Sequence, residues 1–251
     1  MTTAVEEKTT LLKSEKDLEN YFQSFIKPQD AMKVGLEAEF FCVNRATGKA
    51  VPYDGPHGIE AVLKTLAAKF RYQTIVENGR LIGLTRNDSS VSLEPGGQVE
   101  LSAPPVHDVF EIETQLHTFI DELEEISHQF HDIAWLASGM QPFSTLDEIG
   151  WVPKTRYKLM AGHFKNRGLL SHHMMKRTAT NQVNIDYTSE ENAMAIMRTA
   201  LGLSSVVSAL FANSSFSEGK PNGYKTYRME HNVCAEEIAD ISRWLQSVLP
   251  A

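Results

Sequence analysis

Hydrophobic residues recur at two different spacings along the chain, and the shorter spacing predicts strands. The segment KVGLEAEFFCV, residues 33–43, alternates apolar side chains with small or polar ones at a period of two. This alternation is typical of a half-buried β-strand. Because every second side chain of a strand points to the same side, Glu37 and Glu39 are expected to share one face.

Two further regions carry the same alternation. Residues 81–102 are predicted to form successive short strands, with turns at Arg86-Asn87-Asp88 and Pro95-Gly96-Gly97. The second turn separates the strands that carry Glu94 and Glu100, which are expected to form a polar face together with Gln98. The segment TATNQVNIDYT, residues 178–188, places Val183 and Ile185 on one face and a polar set on the other, namely Gln182, Asn184 and Asp186.

Apolar residues at steps of three and four predict helices beside these strands. A first helix is expected to begin near Ser14 and to end before Pro28, a second to cover residues 57–70, and a long third to run from Phe110 to Ile133, where a strand, IAWLASG, is expected to begin. The most apolar run, residues 193–212, contains Arg198 and several serines, which favours a buried helix over a membrane span. Strands that alternate irregularly with helices indicate an α+β fold in a single domain over residues 1–251.

Composition and charge narrow the classes of function. The 251 residues have a formal net charge of -8, and lysines and arginines are scattered, so nucleic acid is not expected as a partner. The cysteines, Cys42 and Cys234, lack metal-ligand spacing. The N-terminus has neither the apolar segment of a secretory signal nor the composition of a transit peptide. These features predict a reducing, cytoplasmic setting.

The three polar strand faces would form one acidic surface if the strands were neighbours in a sheet. A single polar face is ordinary for an antiparallel strand with one side in water. Converging carboxylates, however, repel one another unless a proton or a cation is bound. Such oxygen ligands favour Mg²⁺ or Mn²⁺, which often bring nucleotide phosphates with them, so the pattern points to phosphoryl transfer. The sequence has no GxxxxGK[ST] loop and no GxGxxG motif after a strand, so metal ions and a sheet surface would have to hold the nucleotide.

Three arginines are candidates for binding substrate carboxylates or phosphates, because a guanidinium group holds such anions through paired hydrogen bonds. They are Arg156 in PKTRYKLM, Arg177 in MMKRTAT and Arg228 in NGYKTYR. Taken alone, each would more often be a surface or ion-paired arginine. No GxSxG motif supports a serine nucleophile, and neither cysteine lies in an evidently basic environment.

Five motifs stand in order along the chain: GLEAEF (35–40), SLEPGGQVELS (92–102), VPKTRYKLM (152–160), MMKRTATNQVNID (174–186) and ALFANSSFSEGKPNGY (209–224). Together they resemble plant-type glutamate–cysteine ligase, a family also found in bacteria, over about residues 33–228. The resemblance implies an antiparallel, curved sheet flanked by helices, similar to the catalytic core of glutamine synthetase. It also implies an ATP-dependent ligase that phosphorylates the γ-carboxylate of L-glutamate and joins it to L-cysteine, the first step of glutathione biosynthesis.

The same resemblance implies roles for individual residues. The expected ligands of Mg²⁺ or Mn²⁺ are Glu37, Glu39 and Glu100. The residues expected to line the metal and ATP cavity are Glu94, Gln182 and Asn184. The residues expected at the substrate site, as catalytic groups, are Arg156, Arg177 and Arg228.

After Arg228 the chain departs from the family pattern, in which further strands and helices follow. The fold is therefore expected to be incomplete and C-terminally truncated relative to the family, with residues 1–13 flexible and 229–251 forming a divergent tail. The tail has helix-like spacing at Val233, Ile238, Ile241 and Leu245. Two alternatives to an active ligase stay open: an inactive ligase-like protein that binds metal or amino acid or pairs with a full-length partner, and a related carboxylate–amine ligase that uses another amine.

Overall fold

The computed structural model describes residues 13–165 and 170–228. The helices in these ranges are α1 (Glu15–Gln23), α2 (Ile59–Phe70), α3 (Val109–Gln129), α4 (Thr155–Phe164), α5 (Ser171–Arg177) and α6 (Glu190–Leu210). The strands are β1 (Val34–Asn44), β2 (Gln73–Glu77), β3 (Arg80–Arg86), β4 (Ser89–Leu93), β5 (Val99–Ser102), β6 (Ile133–Leu136), β7 (Asn181–Ile185), β8 (Phe216–Ser217) and β9 (Lys220–Pro221). The predictions made for residues 1–12 and for the tail 229–251 lie outside the described residues.

Strand β1 is the organising strand of the main sheet. It pairs antiparallel with β5 through Glu37–Phe40, with β7 through Val34–Ala38 and with β6 through Phe41–Asn44. Glu37 and Ala38 pair with both β5 and β7, so these two strands lie on opposite sides of β1. The sheet continues from β5 through β4 and β3 to β2, and every pair is antiparallel. The predicted α+β class, with an antiparallel sheet and flanking helices, is confirmed.

The hydrophobic core lies between one face of this sheet and helices α2 and α3. β1 contributes the side chains that alternate with its acids, and both helices contribute residues at steps of three and four, including Leu36, Ala38, Phe40, Val62, Leu63, Leu66, Phe119, Leu123 and Ile126, all buried. Burying a side chain of this size contributes about 1.5–3 kcal/mol. The core therefore fixes which face of β1 turns inward, and Glu37 and Glu39 are left on the other face.

Two parts of the helix prediction are corrected by the structure. Helix α3 ends at Gln129 rather than at Ile133, and Ile133 begins β6. Phe130 and Ile133 continue the helical spacing in the sequence because both are buried in the same core, although the chain turns between them. Helices α4 and α5 were not predicted, since the region around them is interrupted by prolines and α5 has only 7 residues.

Helix α6 was predicted to be buried, and this prediction is wrong for the described chain. None of its residues is buried, and all five residues of β7 are exposed. The sequence is apolar around most of the helix, but no described element packs along it. Among the described residues, α6 is also the one helix long and apolar enough to cross a membrane. Core helices of soluble proteins can have the same length and hydropathy.

Candidate active site

The sheet face opposite the core carries the predicted acids. Glu39 is directly paired with Glu100 across β1 and β5, and Glu37 is paired with Gln182 across β1 and β7. Directly paired residues present their side chains on the same face of a sheet, so these four side chains share one face. Asn184 joins them, because its Nδ2 donates to Glu37 Oε1 at 3.2 Å. The three strands predicted to have polar faces are therefore neighbours.

The Pro95-Gly96-Gly97 bend places Glu94 at the end of β4, next to this face. Glu94 N–H donates to Gln98 O at 2.8 Å, and Gly97 N–H donates to Glu94 O at 2.9 Å. Gly97 has a φ of +87°, a left-handed conformation that favours glycine. At Gly96 a Cβ atom would lie 2.2 Å from Lys176 O. The bend thus approaches the backbone of α5 too closely to carry a side chain at Gly96.

Gln98 braces the bend against the segment that leads into β7. Gln98 is 1% exposed, its Nε2 donates to Thr178 O at 2.6 Å, and its Oε1 accepts from Gly96 N–H at 2.9 Å. The sequence pattern grouped Gln98 with Glu94 and Glu100 on a polar face, whereas the structure gives it an internal role. This brace fixes the position of Glu94 relative to β7.

Burial and neighbouring acids raise the pKa of two carboxyl groups in the cluster. Burial raises the pKa of Glu39 to about 8, and repulsion from Glu94 and Glu100 adds to the effect. Burial also raises the pKa of Glu100, although Ser102 Oγ, which donates to Glu100 Oε1 at 2.9 Å, acts in the opposite direction. Near neutral pH, Glu39 therefore keeps a proton unless a cation lies close to it.

The beginning of helix α4 brings three polar groups to Glu94. Tyr157 Oη donates to Leu93 O at 2.7 Å and lies 3.2 Å from Glu94 Oε1. Lys154 Nζ also donates to Leu93 O at 2.7 Å, and burial lowers the pKa of Lys154 to about 8. Arg156 Nη2 donates to Tyr157 Oη at 2.8 Å and lies 3.8 Å from Glu94 Oε1. Arg156 was predicted from the sequence. Lys154 and Tyr157 were missed, although the VPKTRYKLM motif contains both.

Arg228 approaches the acids from the opposite end of the described chain. Its side chain lies against Gly139, where a Cβ atom would be 3.4 Å from Arg228 Cδ, and its backbone N–H donates to Ser214 Oγ at 3.0 Å. Burial lowers the pKa of Arg228, and attraction to Glu39 offsets part of that effect. Arg228 Nε is buried and has no hydrogen-bond partner among the described residues. A buried donor of this kind can bind an anionic group.

Two other predicted polar residues are engaged elsewhere. Arg177 is 1% exposed, and its guanidinium donates to Ser217 Oγ at 2.9 Å and pairs with Glu218 Oε1 at 3.2 Å, which ties α5 to the β8–β9 hairpin. Asp186, the residue directly after β7, accepts from Lys27 Nζ at 2.7 Å. The structure does not bring Arg177 to the acid cluster, and its role at the substrate site stays a prediction.

A cavity of about 380 Å³ connects the groups that do converge. Residues from β1, the bend, α4, α5 and β7 line it, among them Glu39, Glu94, Arg156, Gln182 and Arg228. In residues 13–165 and 170–228, no three His, Cys, Asp or Glu side chains are arranged as a metal site. Mg²⁺ is usually held by one or two carboxylates together with phosphates and water, so the paired Glu39 and Glu100 are donors of a suitable kind.

A larger cavity, of about 550 Å³, shares Tyr157 with the first. It is lined by Trp151, Lys154 and Lys158 among others, and no carboxylate lines it. The smaller cavity therefore holds the acid chemistry, and it is the candidate active site.

Comparison with known proteins agrees with the motifs that line this cavity. The family model for glutamate-cysteine ligase family 2 matches residues 33–235. The chain belongs to this family. It is 37% identical over 215 residues to glutamate–cysteine ligase A, chloroplastic, of Oryza sativa subsp. japonica, a match that covers 86% of this chain and 43% of the rice protein. It is 35% identical over 212 residues to the chloroplastic glutamate–cysteine ligase of Arabidopsis thaliana, covering 84% of this chain and 40% of that protein.

The resemblance predicted from the five motifs is thus confirmed, and the chain spans less than half the length of the curated relatives that it matches. The family match reaches residue 235, a little beyond Arg228, where the predicted match ends. The acid cluster, the residues that line the cavity and Arg228 all lie within residues 33–235, the range that the family model matches.

The predicted cytoplasmic setting is contradicted by these relatives. The matching ligases of rice, tomato and Arabidopsis are each named chloroplastic. The prediction failed because reduced cysteines are compatible with any reducing compartment. The residues that form a family's core and active site also contain no targeting signal. The matched region therefore could not have indicated the cellular compartment.

Proposed function

We propose that this chain carries the acidic part of the active site of an ATP-dependent ligase that forms γ-glutamylcysteine from L-glutamate and L-cysteine through a γ-glutamyl phosphate. The observation that carries the proposal is the cavity in which half-buried Arg228 faces Glu39, whose pKa is raised, within a chain of the glutamate–cysteine ligase family. The reaction is the first step of glutathione biosynthesis.

The charges in the cavity suit a reaction between anions. L-Glutamate carries two carboxylates and ATP carries phosphates, so a site for both needs cationic donors as well as acids that bind metal. Arg228 Nε has no partner among the described residues and can donate a hydrogen bond to a carboxylate. Arg156 is held above Tyr157, with its guanidinium carbon 4.8 Å from the ring centroid, and is more exposed, which places it at the mouth of the cavity.

The acids are the groups that would hold Mg²⁺ or Mn²⁺. Glu37, Glu39 and Glu100 share a face, and the raised pKa of Glu39 indicates that the cluster is unfavourable without added positive charge. When bound, the metal would neutralise the phosphates of ATP and the charge that develops during phosphoryl transfer. Glu94, Gln182 and Asn184 would complete the polar lining where ATP lies.

A phosphate-release assay tests the proposal. The purified chain is incubated with ATP, Mg²⁺, L-glutamate and L-cysteine, and phosphate release is expected only when both amino acids are present. Glu39→Gln should reduce the rate at least about a hundredfold, because it removes a charge that the reaction uses. Glu124→Gln, the same chemical change at an exposed position of α3, is the matched control and should leave the rate unchanged. Release that persists in Glu39→Gln would contradict the assigned site.

A second candidate is an inactive ligase-like protein that binds metal or amino acid or pairs with a full-length partner, and the observation that favours it is the apolar helix α6, which no described element covers. Under this function the chain alone releases no phosphate, but isothermal titration still detects Mg²⁺ or L-glutamate, and Glu39→Gln weakens that binding. A panel of amines in the same assay separates both functions from a ligase that uses an acceptor other than L-cysteine.

A further inference from the structure

Two side chains at the start of α4 donate to the same carbonyl oxygen at the end of β4. Lys154 Nζ and Tyr157 Oη each lie 2.7 Å from Leu93 O. The pairing of β4 with β3 ends at Ser92, and α4 supplies these partners to the carbonyl that follows. Leu93 is 0% exposed, so no water competes for its carbonyl oxygen. The two donors therefore fix the backbone at the residue that precedes Glu94.

Other contacts fix the backbone of Glu94 itself and of the residue after it. Val152 N–H, just before α4, donates to Pro95 O at 3.0 Å. Glu94 N–H donates to Gln98 O at 2.8 Å, and Glu94 O accepts from Gly97 N–H at 2.9 Å. The direction in which the Glu94 side chain leaves the backbone is thus set by the bend together with the segment that begins α4.

The Tyr157 hydroxyl holds the backbone without occupying the Glu94 carboxylate. Its oxygen accepts from Arg156 Nη2 at 2.8 Å, and it has a single proton to donate. Leu93 O, at 2.7 Å, is closer to this hydroxyl than Glu94 Oε1, at 3.2 Å, so the proton goes to Leu93 O. Arg156 Nη2 lies 3.8 Å from Glu94 Oε1. The carboxylate of Glu94 is therefore held in place and still able to attract a cation.

We propose that Lys154 and Tyr157 are positioning residues for Glu94. By holding Leu93 O, they keep the Glu94 carboxylate beside the acid cluster, where its charge helps to bind a divalent cation. Glu94 is near enough for this role, since its charge adds to burial in raising the pKa of Glu39. This inference rests on the proposed function, because it concerns how an acid of the proposed site is held.

The charge of Lys154 acts against this positioning effect. Burial and repulsion from Arg156 lower the pKa of Lys154 to about 8, and attraction to Glu94 and Glu100 opposes part of that change. The ammonium group is therefore mostly charged near neutral pH, and a cation beside the acids repels a second cation. If charge alone mattered, replacing Lys154 with methionine would strengthen metal binding. A positioning role predicts the opposite, that metal binding becomes weaker.

Electron paramagnetic resonance of Mn²⁺, titrated into the full chain near neutral pH, separates these two effects. Lys154→Met removes a donor and a charge, and the Kd for Mn²⁺ should rise at least about fivefold, as expected for the loss of one buried hydrogen bond. Tyr157→Phe removes the other donor without changing the charge and should also raise the Kd. Lys158→Met, the same change one turn further along α4 at an exposed position, is the matched control and should leave the Kd unchanged.

Hydrogen exchange measured by mass spectrometry reports on the bend without any metal. Peptides that cover residues 93–98 should exchange at least about tenfold faster in Lys154→Met and in Tyr157→Phe, and at the wild-type rate in Lys158→Met. The amides of β1 should stay protected in every chain, which shows that the variant folds. If Lys154→Met does not fold, Tyr157→Phe, which keeps the ring, serves for both measurements.

An unchanged or lower Kd in Lys154→Met or in Tyr157→Phe overturns the proposal. Exchange of the bend that equals that of Lys158→Met overturns it as well, whether or not the chain binds metal. A wild-type chain that binds no Mn²⁺ would contradict the metal site of the proposed function. Faster exchange of the bend in both variants would then still show that Lys154 and Tyr157 hold Glu94 in position.

Discussion

Replacing Glu39 with glutamine should stabilise the protein when no divalent cation is present. Glutamine has nearly the shape of glutamate but cannot ionise. Its carbonyl oxygen can also accept the hydrogen bond that Thr180 N–H donates to Glu39 Oε2 at 3.2 Å. The substitution therefore removes the unfavourable charge near Glu94 and Glu100 while it leaves the packing in place.

The size of the effect follows from proton linkage. The pKa of Glu39 is about 8 in the folded chain, against 4.5 for an ordinary glutamate. A carboxyl group whose pKa is raised on folding contributes its full stability below the unfolded pKa, and that contribution is lost as the pH rises toward the folded pKa. Each pH unit in this interval costs about 1.4 kcal/mol, so at about pH 7 the wild-type chain has lost roughly 3 kcal/mol that Glu39→Gln retains.

Urea denaturation in EDTA measures this difference. The free energy of unfolding of Glu39→Gln should exceed that of the wild type by roughly 3 kcal/mol near pH 7 and by less than about 1 kcal/mol near pH 5. Glu124→Gln should match the wild type at both pH values. Added Mg²⁺ should raise the stability of the wild type more than that of Glu39→Gln, because the cation replaces the proton. A stability difference that does not change with pH, or a glutamine variant that is less stable near pH 7, would refute the reasoning.

Three further substitutions or reactions probe the packing around the site and in the core. Gly96→Ala should lower the free energy of unfolding by about 1–3 kcal/mol, since its Cβ would lie 2.2 Å from Lys176 O; an unchanged thermal midpoint would mean that the bend can move. Tyr72→Phe should cost about 1–2 kcal/mol in urea melts, because Tyr72 Oη donates to buried Glu122 Oε2 at 2.7 Å; no loss would show that this bond is replaced. Cys42 is 3% exposed, and burial raises its pKa, so peptide mapping should find it alkylated only after unfolding; modification of the folded chain would contradict its burial.

The alternation of apolar and polar residues predicted the acidic face correctly, because the apolar residues of a strand indicate which of its sides is buried. In β1, Leu36 and Ala38 are in the core, so Glu37 and Glu39 had to share the other face. The pairing of β1 with β5 and β7 was not contained in that pattern. The prediction of one acidic surface assumed that the polar strands are neighbours in a sheet, and the structure shows that they are.

Contacts between distant segments were beyond the sequence pattern. Lys154 and Tyr157 reach Leu93 O only because α4 packs against the end of β4, more than sixty residues away in the chain. Gln98 looked like one more polar residue of an exposed strand, yet it is buried and holds the bend against α5. A residue's polarity predicts that it needs partners, but local spacing does not tell whether those partners are water, a substrate or the backbone of another element.

The failed prediction for α6 has a physical cause that bears on the site. A helix that is apolar around most of its circumference is stable when other elements bury it, and no described element buries α6. Helix α6 follows β7, whose two faces have different neighbours: Gln182 and Asn184 turn toward the acids, whereas Val183 and Ile185 are exposed on the core side. β7 pairs only with β1 among the described strands. A polypeptide segment that covers Val183 and Ile185 would therefore steady β7, and with it the polar wall of the acid-lined cavity.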